Sequence, residues 1–121
     1  MNTFLKKITT LTSKTRENKI EWRISDEHYR KIVKHSRATK VTLVYEAVIS
    51  SGNTCILTIG QKSEWNEAFE QGIDFDFYEL FFLLHDELLT YVSSDDLGND
   101  LSLRELADVV RFSMAKDIFF D

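Results

Sequence analysis

At 121 residues and 14.2 kDa, with 43% hydrophobic and 29% charged side chains, the chain is long enough to bury a core without staples and too apolar to be disordered. A single cysteine, Cys55, excludes an intramolecular disulfide and a zinc knuckle, and Ile8–Leu11 is too short and threonine-rich for a signal-peptide core, so a cytoplasmic protein is expected. The net charge of -5 is unevenly spread: residues 1–40 hold 11 of the 15 Lys and Arg but 4 of the 20 Asp and Glu, leaving the remainder strongly acidic.

Taken in chain order, Asn2–Arg16 reads as an amphipathic helix, with Phe4, Leu5, Ile8, Leu11 and Thr15 on one face and Lys6, Lys7, Ser13 and Lys14 away from it. Glu17-Asn18-Lys19 makes a turn, and Ile20–Ile24 alternates apolar and charged residues as a half-buried strand does. Ser25–Ser36 is read as a second strand, with a short helix capped by Ser25-Asp26-Glu27 as the alternative. Lys40–Ile49 is rich in β-branched residues and pairs with Thr54–Ile59 across the turn residues Ser50-Ser51-Gly52-Asn53, a hairpin. Gln61–Gly72, with Trp65, Ala68 and Phe69 among Glu64, Glu67 and Glu70, suggests a short helix or ordered loop.

Asp74–Val92 is the longest apolar run. Placed on a helix, it collects Phe77, Phe81, Leu84, Leu88, Tyr91 and Val92 on one arc, with His85 inside that arc and Glu79, Asp86 and Thr90 opposite. Asp76 with Glu79 resembles a capping box and Phe75 with Leu80 a hydrophobic staple, so a central core helix is expected, covered by Trp22, Leu43, Tyr45, Leu57 and Ile59. Its charges and its length, short of the ~20 apolar residues of a bilayer span, exclude a transmembrane helix. Ser93–Asp100 is an acidic loop, and Ser102 with Glu105 starts a final helix whose core stripe is Leu103, Leu106, Ala107, Val110 and Met114. Residues 1–121 thus form one α+β domain: an N-terminal helix, an antiparallel sheet of three to four strands, and two C-terminal helices packed on one face.

The four glycines stand singly, which excludes a phosphate-cradling loop, and His28, His35 and His85 have no ligand spacing for a metal. No nucleophile, base and oxyanion donor assemble, so neither catalytic residues nor a cofactor are expected. Ser102–Asp108 resembles the first helix of a helix-turn-helix unit, but Arg111 stands where a glycine would follow Ala107. Phe112 lies off the core stripe between Glu105 and Asp108, and Phe119 and Phe120 end the chain as further apolar groups. Those five residues form the expected protein-binding surface, for a partner protein or a second copy; a tail folded back over the sheet is the alternative. Lys6, Lys7, Lys14, Arg16 and Lys19 form the electrostatic footprint of a nucleic-acid binder, the competing expectation.

The opening Leu11-Thr12-Ser13-Lys14-Thr15, followed by Asn18-Lys19-Ile20-Glu21-Trp22, resembles that of small uncharacterised bacterial and phage-associated α+β proteins. The resemblance implies such an origin and brings no catalytic residues. The resulting expectation is a non-enzymatic interaction protein of accessory, immunity or inhibitor type, working through an acidic C-terminal surface.

Overall fold

A computed structural model of the chain describes residues 3–25, 32–50, 52–97 and 101–119. Thr3–Arg16 is helix α1 despite its threonines, because Ile8 and Leu11 pack into the core; the hydroxyls of Thr9, Thr10, Thr12 and Thr15 each find a partner in the carbonyl four residues back, at 2.7–2.9 Å. The buried Thr15 hydroxyl also accepts from Trp22 Nε1 at 2.9 Å, which seats the indole under the helix. Asn18 ends α1 in the left-handed region (φ 59°); Lys19 N–H donates to the Lys14 carbonyl and Asn18 N–H to that of Thr15, a Schellman closure.

Five antiparallel strands follow in the order β1-β2-β3-β4-β5: β1 Arg23–Ile24, β2 Lys40–Ser50, β3 Asn53–Asn66, β4 Gln71–Leu84 and β5 Glu87–Ser93. Helix α2 (Ser94–Leu97) is one turn, and helix α3 (Leu101–Phe119) closes the described chain. The α+β class, the N-terminal helix and the β2–β3 hairpin are as expected; the sheet has five strands rather than three to four. Ile8 and Leu11 of α1 with Leu103, Leu106, Ala107 and Val110 of α3 pack on Tyr45, Ala47, Cys55, Leu57, Ile59, Tyr78, Leu80 and Val92. On the opposite face Ile32 covers Val44, Ile56, Phe81 and Leu83.

The expected central helix is instead a β-hairpin. Asp74–Leu84 belongs to β4 and Glu87–Val92 to β5, joined by His85 (φ 50°) and Asp86 (φ 67°) in the two-residue turn with both φ positive that suits a twisted hairpin. Side chains alternate along β4, so Asp76, Tyr78 and Leu80 face the helices while Phe75, Phe77, Glu79 and Phe81 face away. The supposed capping partners Asp76 and Glu79 therefore lie on opposite faces, and so do Phe75 and Leu80. Because both faces are covered from Phe77 to Leu83, that part of β4 is apolar except at Glu79 and shows no alternation to distinguish it from a buried helix. His85 leaves the core arc for an exposed turn, its N–H donating to the Gly52 carbonyl at 2.7 Å.

Three further corrections follow. Gln61–Gly72 is neither helix nor loop: β3 runs through to Asn66 and β4 restarts at Gln71 after a tight turn. From Ile20–Ile24 the sheet takes only Arg23 and Ile24, opposite Glu46 and Tyr45. Of Ser25–Ser36, residues 26–31 lie outside the described residues, and Val33–His35 is a 3-10 turn rather than a strand.

Candidate functional site

The C-terminal turn of α1 meets α3 side by side, since the apolar stripes of both helices seek the same sheet face. At the seam Arg16 Nη2 and Glu105 Oε1 form an ion pair at 2.6 Å. Beyond it opens a groove of about 400 Å³ lined by Thr15, Arg16, Asn18, Asp108, Phe112 and Lys116, among others. Phe112 is 73% exposed on its wall, because the core stripe of α3 turns the opposite side of the helix inward. Asp108, Phe112, Lys116 and Phe119 follow at spacings of four, four and three, so one helix face carries them all. Phe119 is likewise exposed; Phe120 lies outside the described residues.

The two sets of residues singled out in the sequence thus meet: Arg16 from the basic set lines the same groove as Asp108 and Phe112. The remainder of the basic set is divided. Lys19 pairs with Glu17 at 2.8 Å, each holding the other in its charged form, while Lys6, Lys7 and Lys14 are exposed along α1, Lys7 at the rim of a cleft beside Leu11 and Phe82. The surface expected to be acidic is charge-balanced along α3 itself, where Glu105, Asp108 and Asp117 are matched by Arg104, Arg111 and Lys116. Helix α3 is also continuous from Leu101 to Phe119, which leaves no turn for a helix-turn-helix unit there.

The basic and acidic parts of the chain neutralise each other in part. Besides Arg16–Glu105, the Arg37 guanidinium binds Asp96 Oδ2 at 2.6 Å and Ser93 Oγ at 2.7 Å and lies 5.2 Å from the Tyr91 ring centroid. Burial alone would raise the Asp96 carboxyl; the bonds from Arg37 and from the Ser93 backbone N–H outweigh it and hold Asp96 below the usual carboxylate range. The neighbouring Ser36 and Arg37 reach Glu79, a fully buried carboxylate: Ser36 Oγ donates to its Oε1, Arg37 N–H to Oε2 at 2.9 Å, and Thr58 Oγ1 to Oε1 at 3.3 Å. Val44, Thr58, Glu79 and Ser93 stand in one row across four strands, which is how residues so far apart in sequence converge. Glu79 has no accessible surface, and its bonds to Ser36 and Arg37 tie that segment to the sheet.

No protein-family model, no curated protein and no solved structure matches this chain. Among the described residues no group of three or more His, Cys, Asp or Glu is gathered as metal ligands, and no helix is long and apolar enough to cross a membrane.

Cys55 is buried in β3 beneath a cleft of about 250 Å³ that Lys7, Leu11, Ile49, Phe82 and Leu89 help to line. Burial pushes its thiol up to about 12, against a small opposing effect of Lys7. The folded protein keeps the proton longer than the unfolded chain, whose thiol titrates near ~8.5. This contribution to stability is complete below that pH and is lost as pH rises toward 12. Iodoacetamide at pH 8 is expected to leave Cys55 unmodified in the native protein and to label it at a rate that follows the urea-unfolded fraction; rapid native labelling would contradict the buried placement.

Sequence reasoning missed the far end of the β3–β4 hairpin. Trp65 and Phe69 stand there 66% and 68% exposed, among Glu64, Glu67 and Glu70. The available signal was the alternation of Ile73, Phe75 and Phe77, which the helical reading of the following run obscured.

Proposed function

We propose that the protein is a non-enzymatic interaction module, of accessory, immunity or inhibitor type and of bacterial or mobile-element origin, that binds another protein in the groove between α1 and α3. The observation that carries this reading is Phe112, an aromatic ring left in solvent on the wall of a groove whose charges, Arg16, Asp108 and Lys116, form a polar rim. Aromatic anchors beside a polar rim are the usual core of a protein interface. The acidic contribution is Asp108, since Glu105 is already engaged by Arg16.

Substituting Phe112→Ser is expected to change folding stability by no more than about 0.5 kcal/mol, because the ring is mostly solvated. Capture of a discrete protein from host extract by the tagged chain should fall at least tenfold with Phe112→Ser or Asp108→Lys. Equal capture by both variants would defeat the proposal. The competing nucleic-acid reading is favoured by the exposed Lys6, Lys7 and Lys14. Tight binding of a labelled oligonucleotide that weakens steeply with salt and is lost in a Lys6, Lys7, Lys14 triple alanine variant would replace the protein-binding reading.

A further inference from the structure

The β3–β4 hairpin is longer than the sheet it belongs to. β5 ends opposite Glu79, where Ser93 pairs with it, so among the described residues the outer edge of β4 has no strand neighbour from Gln71 to Phe77. Ser94 stops the ladder: the Tyr78 N–H donates to Ser94 Oγ at 3.0 Å, and that hydroxyl returns a bond to the Tyr78 carbonyl at 3.3 Å. Tyr78 therefore aims its backbone groups outward, and the two-residue repeat of a strand gives the same direction to Asp76, Asp74 and Gly72. An added Cβ at Gly72 would meet nothing within 4 Å, so the face of the sheet at this end of the edge is uncovered.

The side chains along this edge differ on its two faces. Asp74 and Asp76 are exposed on one, while Ile73 and Phe75 are half-buried on the other. Over residues 61–76 five carboxylates, Glu64, Glu67, Glu70, Asp74 and Asp76, accompany the single cation Lys62, which is already engaged by Asp95 and lies over the Phe77 ring. A second copy of the same edge would bring Asp74 and Asp76 against themselves, a like-charge contact that natural edges use to prevent self-pairing.

We propose that the free edge of β4 takes an extended segment of a basic partner protein as an added strand. Its Lys or Arg residues lie over Asp74 and Asp76, and the alternate apolar residues lie over Ile73 and Phe75. The edge of about seven residues spans roughly 23 Å at ~3.3 Å per residue, enough for main-chain bonds to supply affinity and the two faces to supply specificity. Trp65 and Phe69 at the tip are placed to stack on a further guanidinium. This surface is separate from the α1–α3 groove, and its failure leaves the reading of that groove untouched.

The probe is a fluorescein-labelled octapeptide of alternating Lys and Val, compared by anisotropy with a block peptide of the same composition and with an alternating Glu-Val peptide. The alternating basic peptide should bind the full-length chain at least tenfold more tightly than either comparison peptide. Asp74→Pro, which removes an outward N–H without touching the β3 ladder, and the Asp74→Lys, Asp76→Lys double variant should each weaken binding at least tenfold, whereas Phe112→Ser should not. Amides of Asp74 and Asp76 should gain protection from hydrogen exchange in the complex, a readout that remains interpretable if Asp74→Pro perturbs folding. Equal binding of the block peptide without amide protection would show charge attraction alone and overturn the added strand. A concentration-dependent dimer abolished by Asp74→Pro would assign the edge to a second copy instead.

Discussion

Replacing Glu79 with alanine is expected to lower the free energy of unfolding by about 2–4 kcal/mol, since the half-buried Ser36 hydroxyl, the buried Thr58 hydroxyl and the Arg37 N–H all lose this acceptor at once. These three donors come from β3 and from the segment that crosses the sheet before β2, so the loss loosens that segment as well as leaving polar groups unpaired. Glu79→Gln keeps the volume and one acceptor oxygen but turns an amide donor toward the Arg37 N–H or the Ser36 hydroxyl; a smaller cost of about 1–2 kcal/mol is expected. Urea titrations followed by circular dichroism would measure both. Hydrogen exchange at the Arg37 amide should accelerate more than the global change in the alanine variant. An alanine variant as stable as the parent would show that the network does not hold the segment.

Gly60→Ala is expected to cost about 3 kcal/mol, the upper end of what an extra methyl group does in a packed interior. A Cβ at Gly60 would stand 2.1 Å from the Lys40 carbonyl oxygen and 3.0 Å from Val41 Cα. Both are backbone atoms of β2, next to the irregularity between Val41 and Leu43, so no side chain can swing aside to make room. Relief requires parting β2 from β3 at the Val41–Gly60 pair, which removes ladder bonds in the middle of the sheet. Gly72→Ala provides the internal comparison: it lies in the same pair of strands with open space around it, and a change within about 0.5 kcal/mol is expected. Similar melting temperatures for the two variants would contradict the close approach at Gly60.

The parts of the fold that were legible in the sequence are those with a local signal, either an apolar stripe at helical spacing or β-branched runs flanking turn residues. Helix α1 and helix α3 each show one apolar stripe at helical spacing, Leu103, Leu106, Ala107 and Val110 in the second case, and that same spacing left Phe112 outside the stripe. The β2–β3 hairpin was legible from β-branched residues on either side of Gly52, whose φ of 78° its turn needs. Half of the candidate site was legible in the same way. Phe112 and Asp108 follow from the helix period, but that Arg16 would join them while Glu105 was consumed in pairing depends on how α1 lies against α3. Neither the free edge of β4 nor the convergence of Ser36, Thr58, Glu79 and Ser93 is encoded locally, since strand register decides both.

Asp74–Val92 marks the boundary between the two. By itself the sequence determined that the middle of this run, Phe77–Leu83, is largely buried, because Glu79 is the single charge among its apolar residues. It did not determine whether the run is helix or strand. A stretch buried on all sides satisfies a period of 3.6 as well as a period of 2, and its turn at His85-Asp86 lacks the glycine or asparagine that would announce a hairpin. Tertiary structure made the choice. β3 offers a complementary edge for fourteen residues, α1 and α3 cover one face and Ile32 packs on the other, so an extended chain satisfies its backbone bonds and buries both sets of side chains together.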